Sequence, residues 1–204
     1  MAPDPEAVFR SHVPAQAVSY CVTLQKVYGF SLRASKPRRS KWGDYRYRRA
    51  GGRVQHAISV NDDLNPYAFL ITYLHEVAHL RAFQQHGFRI PPHGAAWKQC
   101  FRQLLVPVLS ATVFPSELLV AVRQFARNPR ASTGADVLLT QALQPFNSPT
   151  NQVPLGCLSE GKRFTFRERT YVKQKTRRTR ALCEEVRSRK QYLILETTLV
   201  DLLD

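Results

Sequence analysis

The chain has 204 residues, which is enough for one ordinary domain and a small appendage. Its apolar fraction of 44% is normal for a globular protein, and no run approaches the 18 or so apolar residues of a membrane span, so no membrane span is expected. The 30 Lys and Arg residues outnumber the 15 acidic residues and give a net charge of +15, which favours nucleic acid as a partner.

The amino terminus and the cysteines indicate a cytoplasmic protein. Asp4 and Glu6 stand where a secretory signal peptide would carry basic residues, and no long apolar segment follows them. The four cysteines are far apart and form no C-x-x-C pair, which is typical of reduced thiols. They are Cys21, Cys100, Cys157 and Cys183.

The first 127 residues predict helices around one β-hairpin. Gly51-Gly52 is a hairpin turn signal between two β-type runs. Asn65 suits the N-cap of the next helix, Pro66 its first position and Gly87 its C-cap. Helices are predicted over 14–28, 66–86, 94–106 and 116–127, and strands over about 42–49 and 53–60.

The amino-acid composition of the chain changes at residue 128 and again at residue 155. Residues 128–154 are rich in Ser, Thr, Pro, Asn and Gln and are interpreted as a polar linker with one short helix at 135–143. From residue 155, short β-type runs alternate with charged residues, as at Phe164–Phe166 and Tyr192–Leu195. The sequence therefore predicts an α+β domain over 1–127, a linker over 128–154 and a basic β-rich module over 155–204.

The most informative motif is His75-Glu76-Val77-Ala78-His79, which has the pattern H-E-x-x-H. It falls on the predicted helix 66–86, where positions i and i+4 share one face, so both imidazoles can bind one metal ion. Glu76 is then placed to act as the general base on a water molecule, which is the arrangement of zinc peptidases. The alternative is a pair of core histidines with ordinary hydrogen-bond partners.

A catalytic zinc needs a third protein ligand, and two histidines downstream are candidates. On a continued helix, His86 would lie about 10 Å along the axis from His79, too far for a Zn–N bond of about 2.0–2.1 Å. Gly87 and Pro91-Pro92 indicate that the chain turns after His86, and this turn favours His93. His86 is then a capping or solvated side chain.

These residues resemble a known family. The H-E-x-x-H motif followed by His93-Gly94-x-x-Trp97-Lys98 is similar to the SprT-like zinc metallopeptidase domain, whose family includes the DNA–protein crosslink protease Spartan. The resemblance covers residues 5 to 125. It implies a minimal zincin-like fold, one zinc ion on His75, His79 and His93, and Glu76 as the catalytic base.

The carboxyl-terminal module departs from many members of that family. These end in a zinc ribbon with two cysteine pairs, whereas this module has only Cys157 and Cys183. A four-cysteine site is therefore excluded, and Cys183 is interpreted as a buried strand residue. The run 173–183 resembles the basic β-rich tail of short bacterial members.

Basic residues are concentrated in two windows with interleaved aromatic residues. Residues 33–53 and 162–180 each contain nine Lys or Arg and one acid. This mixture suits phosphate contacts and base stacking, and so predicts DNA binding, single-stranded or duplex, although a solvated basic surface is the alternative. The candidate nucleic-acid contacts are Arg38, Arg39, Lys41, Lys173, Lys175, Arg177, Arg178 and Arg180.

Three functions are compatible with these features. The favoured one is a zinc endopeptidase that cuts proteins bound on or near DNA, with an extended protein or peptide substrate paired to a strand of the 42–60 hairpin. The alternatives are a nucleic-acid-binding protein with a structural or catalytically idle zinc site, and a metal-dependent hydrolase of another substrate class. Four residues are candidates for stabilising the oxyanion, without a choice among them. They are Tyr45, Tyr67, Tyr73 and Arg81.

Overall fold

The computed structural model describes residues 5–38, 41–87, 89–130, 134, 136–147 and 152–203. The chain divides into two compact units, residues 1–133 and 134–204. The first combines helices with a three-stranded sheet, and the second carries a six-stranded sheet. The predicted α+β class with a β-rich carboxyl-terminal part is confirmed.

Predicted and observed elements of the first unit agree closely from residue 43 onward. The helix predicted over 14–28 begins as a 3-10 turn at Ala15–Ala17 and becomes α-helical at Val18. One additional helix and one additional strand precede the hairpin. The elements are α1 (Pro5–His12), α2 (Val18–Tyr28), β1 (Phe30–Ser35), β2 (Gly43–Ala50), β3 (Arg53–Asn61), α3 (Pro66–His86), α4 (Ala95–Leu105) and α5 (Ser116–Arg127).

The additional strand completes a mixed sheet of order β1-β3-β2. β2 and β3 form the predicted antiparallel hairpin, and β1 pairs in parallel with β3. β1 was not predicted, because its alternating pattern spans only six residues and its partner strand is not its neighbour in the chain. As a consequence β3 is the central strand and β2 lies at an edge.

α3 is the central helix of the first unit. Thirteen of its 21 residues are buried, from Ala68 to Ala82, and each fully buried Leu or Phe contributes roughly 1.5–3 kcal/mol. The sheet supplies Leu32, Ile58 and Val60 to the buried core of this unit. The helix is therefore packed against other elements on several sides, and this packing fixes the orientation of its polar side chains.

Both ends of α3 are capped as the sequence predicts. The Asn65 side chain accepts hydrogen bonds from the backbone N–H groups of Tyr67 and Ala68 at 3.1 and 2.9 Å. At the other end Gly87 has φ of 74° and donates its N–H to Phe83 O. A residue with a side chain is strained at this φ, so glycine permits the chain to leave the helix here.

Among its described residues, the second unit contains one α-helix and a sheet of order β4-β9-β5-β6-β7-β8. The short helix predicted at 135–143 begins at Val137, and β4 begins at Gln152, inside the stretch interpreted as a linker. The elements are α6 (Val137–Leu143), β4 (Gln152–Pro154), β5 (Arg163–Phe166), β6 (Arg169–Arg177), β7 (Arg180–Glu185), β8 (Gln191–Leu195) and β9 (Leu199–Leu202).

The core of the second unit is largely apolar and contains a buried ion pair. Phe164, Cys183 and Val200 are fully buried, so the interpretation of Cys183 as a buried strand residue is confirmed. Lys173 Nζ lies 3.2 Å from Glu196 Oε2, and both side chains are less than a tenth exposed. In neither unit does the described chain contain a helix that is both long and apolar enough to traverse a bilayer.

Candidate metal centre and catalytic cleft

Three histidine nitrogens converge at one point of the first unit. The Nε2 atoms of His75, His79 and His93 lie 2.9 to 3.2 Å from one another. His75 and His79 come from consecutive turns of α3, and His93 from the loop before α4. Within the described ranges this is the cluster of His, Cys, Asp or Glu that could hold a metal ion. His86, the last residue of α3, is exposed and takes no part in it.

The donor set fits a tetrahedral zinc ion. Zn–N bonds of about 2.0–2.1 Å separate the ligand nitrogens of a tetrahedral site by about 3.3 Å, close to the observed separations. Three neutral imidazoles whose Nε2 atoms face one another repel through their lone pairs, and a cation among them removes this repulsion. Three imidazoles with one open position also suit zinc by ligand type.

Burial keeps these imidazoles uncharged. Burial and the neighbouring His79 and His93 hold the pKa of His75 well below its usual value. Burial, together with His93, lowers the pKa of His79 to about 4, and burial lowers that of His93 as well. At neutral pH the imidazoles are therefore neutral, which is the form that binds metal.

The loop holds His93 in an uncommon backbone conformation. His93 has φ of 60°, in the left-handed region that costs a non-glycine residue free energy. The next residue, Gly94, donates its N–H to Pro91 O at 3.1 Å and closes a tight turn ahead of α4. Strained residues of this kind concentrate at functional sites, and this one delivers the third nitrogen.

Trp97 forms a platform under all three imidazoles. Its ring centroid lies 4.5 Å from that of His75, 5.3 Å from His79 and 4.8 Å from His93. Its Nε1 donates to the backbone oxygen of His75 at 3.3 Å, and its side chain is only 1% exposed. Sequence reasoning gave this residue no role, although its position four residues after His93 on α4 places it on the face toward the site.

Glu76 lines the same cleft as the three histidines. The cleft has a volume of about 250 Å³ and is completed by residues 43–45 at the start of β2. The backbone N–H of Tyr45 lies close to the Glu76 carboxyl group and favours its charged form. Burial, and to a smaller extent the charge of Asp44, raise the pKa of Glu76 to about 8, against the lowering effects of the Tyr45 N–H and of nearby cations. The Glu76 carboxyl group can therefore exchange a proton near neutral pH.

Three of the four oxyanion candidates lie elsewhere. Tyr73 is fully buried and donates its hydroxyl to Cys21 O at 2.9 Å. Tyr67 packs on Phe114, and Arg81 lies near Tyr20 and Cys100. The fourth candidate, Tyr45, lines the cleft, and its hydroxyl lies 3.0 Å from His56 Nδ1.

The candidate nucleic-acid contacts of the first unit are partly occupied by internal partners. The Arg38 guanidinium donates to Asn61 Oδ1 and Ser59 Oγ, both at 2.9 Å, and so ties the loop before β2 to β3. Lys41 forms an ion pair with Asp44 at 2.7 Å. Arg39 lies outside the described residues.

The candidates in the second unit separate into one buried and four exposed residues. Lys173 is 2% exposed and bound to Glu196 and Leu155 O, so the prediction that it contacts nucleic acid is wrong. Its side chain points into the core because a register shift between Lys173 and Lys175 places the two lysines on different faces of β6. The exposed candidates are Lys175, Arg177, Arg178 and Arg180.

The first unit matches a known family model. Residues 14–114 match the model of the SprT-like family. This range contains the three-stranded sheet, α3 and α4, and with them every side chain of the cleft described above. No curated protein and no solved structure matches the chain significantly.

Proposed function

Because the chain belongs to the SprT-like family, and so carries a metallopeptidase-like domain, we propose that it is a zinc-dependent endopeptidase. The observation that supports this most strongly is the buried Glu76 carboxyl group in the same cleft as three converging imidazoles. A structural site requires the ligands but no adjacent base, so this arrangement favours catalysis over the alternative of an idle zinc site.

His75, His79 and His93 would hold the ion. When bound, zinc supplies Lewis-acid chemistry by polarising a carbonyl group and lowering the pKa of a water molecule. Glu76 takes the proton from the attacking water onto a carboxylate oxygen and later returns it to the leaving amine. The nearby Tyr45 N–H favours the carboxylate form of Glu76, which is the form that accepts the proton.

β2 provides backbone groups for an extended substrate. Asn61 N–H donates to Trp42 O at 2.8 Å, and the antiparallel register continues without a shift. Since ladder bonds alternate, residues 42, 44, 46 and 48 turn their backbone groups toward β3. Those of residues 43, 45, 47 and 49 face away from it. Pairing at this edge would bind peptides with little dependence on sequence.

Nucleic acid would bring the enzyme to its substrates. In the second unit Lys175 pairs with Leu182 and Arg177 with Arg180, so the exposed cations of β6 and β7 share one face of the sheet. Such a face supports sequence-independent, salt-sensitive binding of DNA. Tethering enzyme and substrate protein to one strand raises their effective concentration. We therefore propose that the substrates are proteins bound to nucleic acid.

The test compares the wild type with Glu76→Gln, both loaded with zinc, on a DNA-binding protein with and without single-stranded DNA. Glu117→Gln makes the same change at an exposed position of α5 and is the control. We expect cleavage by the wild type and the control, stimulated by DNA, and none by Glu76→Gln at equal zinc content. Equal activity of all three proteins would contradict the role of Glu76.

A further inference from the structure

A second cavity opens beside the catalytic cleft. It has a volume of about 150 Å³ and lies among β2, the carboxyl-terminal half of α3, the loop after α3 and the start of α4. Its lining residues are Tyr45, Tyr47, His79, Ala82, Phe83, Gly87, Ile90, Pro91, Pro92 and Trp97.

The lining is apolar and aromatic. Phe83 packs against Tyr47 with ring centroids 4.4 Å apart, and Trp97 and Ala82 are each 1% exposed. None of the lining residues is Lys, Arg, Asp or Glu. A charged group that entered would lose hydration without gaining a partner of opposite charge, whereas an apolar group would gain free energy.

The cavity shares two wall residues with the catalytic cleft. Tyr45 and His79 line both. The hydroxyl of Tyr45 is bound to His56 Nδ1 at 3.0 Å, which fixes the orientation of the shared aromatic wall. A peptide paired with β2 and presenting a carbonyl to the cleft would therefore have a neighbouring side chain within reach of the cavity.

We propose that this cavity is a subsite for one aromatic or large aliphatic side chain of the substrate, next to the scissile bond. This inference rests on the proposed endopeptidase function. An apolar protein cavity of about 150 Å³ holds a benzene ring, so the volume suits a single ring or a branched aliphatic group. Edge-strand pairing supplies affinity for any extended peptide, whereas this subsite favours peptides with a large apolar side chain at the matching position.

The activity test measures preference in zinc-loaded enzyme. A peptide mixture is digested, the cut sites are mapped by mass spectrometry, and a matched pair of peptides with Phe or Asp at the flanking position is then compared. We expect kcat/KM to favour Phe by roughly 10- to 100-fold. Ile90→Trp fills the cavity and should reduce this ratio toward one, whereas Val27→Trp, at a position that is 69% exposed, should leave the ratio unchanged.

A binding test separates this inference from the proposed function. Zinc-loaded Glu76→Gln protein is titrated with N-acetyl-phenylalanine amide or N-acetyl-aspartic acid amide, and NMR shifts of the Trp97 indole are followed. Shifts with the Phe compound alone, abolished by Ile90→Trp, support the subsite even if no peptide is cleaved. Cleavage without preference for apolar side chains, or equal shifts with both compounds, overturns the subsite and leaves the peptidase assignment standing.

Discussion

Gly43 lies directly against Glu76. A Cβ atom added at position 43 would come within 2.8 Å of Glu76 Cγ, and closer still to its Oε1, and would also meet Thr72 Cγ2 at 2.8 Å. The start of β2 can therefore cover the Glu76 carboxyl group only because residue 43 has no side chain. A glycine within a strand often marks such a close approach.

Gly43→Ala should displace Glu76 or β2 by a fraction of an ångström or more. Because general-base catalysis depends on the position of the carboxylate, we expect kcat to fall on the order of 10- to 100-fold. Zinc content should not change, since the histidines come from α3 and the loop before α4. Ala57→Ser, on the exposed face of β3, is the control. Unchanged kcat in Gly43→Ala would show that the close packing has no catalytic role.

The pH dependence of stability tests the environment of Glu76. Its pKa is raised to about 8 in the folded protein, from an ordinary value of 4.5. The folded state thus holds this proton more tightly than the unfolded state, and the wild type loses stability as pH rises from about 4.5 to 8. Glu76→Gln has no such loss.

Thermal unfolding of both proteins in a chelator, over pH 5 to 9, measures the effect. The difference in unfolding free energy should be small at pH 5 and grow in favour of Glu76→Gln to a few kcal/mol at pH 9. The histidines with shifted pKa values are present in both proteins, so their contributions to the pH dependence cancel in the difference. A difference that does not vary with pH would be inconsistent with a buried, destabilised carboxylate.

The third ligand is tested by metal content. His93→Ala removes one of the three converging nitrogens, and we expect zinc to fall from one equivalent to a small fraction after dialysis against a weak chelator. His86→Ala removes an exposed imidazole at the end of α3 and should retain a full equivalent. If instead His86→Ala empties the site, the assignment of His93 is wrong.

The buried ion pair of the second unit gives a stability prediction. Lys173→Met leaves the Glu196 carboxylate buried without its cation, at a cost of about 3–5 kcal/mol. Lys175→Met, two residues along the same strand but exposed, should change stability by no more than about 0.5 kcal/mol. Denaturant unfolding followed in the second unit measures both. The double variant Lys173→Met, Glu196→Gln should recover much of the loss.

DNA binding through the face of β6 and β7 is tested by charge removal. Neutralising Lys175, Arg177 and Arg180 to Gln should reduce the slope of log affinity against log salt for single-stranded DNA by about two units. The control removes the same charge from exposed residues elsewhere in the unit, as Lys162→Gln, Arg163→Gln and Arg187→Gln. Fluorescence anisotropy over a range of salt gives the slopes. Equal losses in both variants would indicate a diffuse electrostatic effect rather than a binding face.

Local sequence signals were sufficient for the helix that carries the site. The cap at Asn65, the break at Gly87 and the apolar spacing of α3 are properties of neighbouring residues, so its bounds agree with the structure. The i, i+4 spacing places His75 and His79 on one face for the same reason. The choice of His93 required only that the chain turn after Gly87.

Contacts between distant segments decided the rest. Four features of the structure each depend on residues that are far apart in the chain. They are the parallel pairing of β1 with β3, the contact of Gly43 with Glu76, the packing of Trp97 on the histidines and the ion pair of buried Lys173. Helix caps and side-chain spacing are set by bonds along a few residues, and the sequence displays them directly. Packing between segments depends on the fold of the whole chain, and so only the tertiary structure revealed which residues surround the Glu76 carboxyl group.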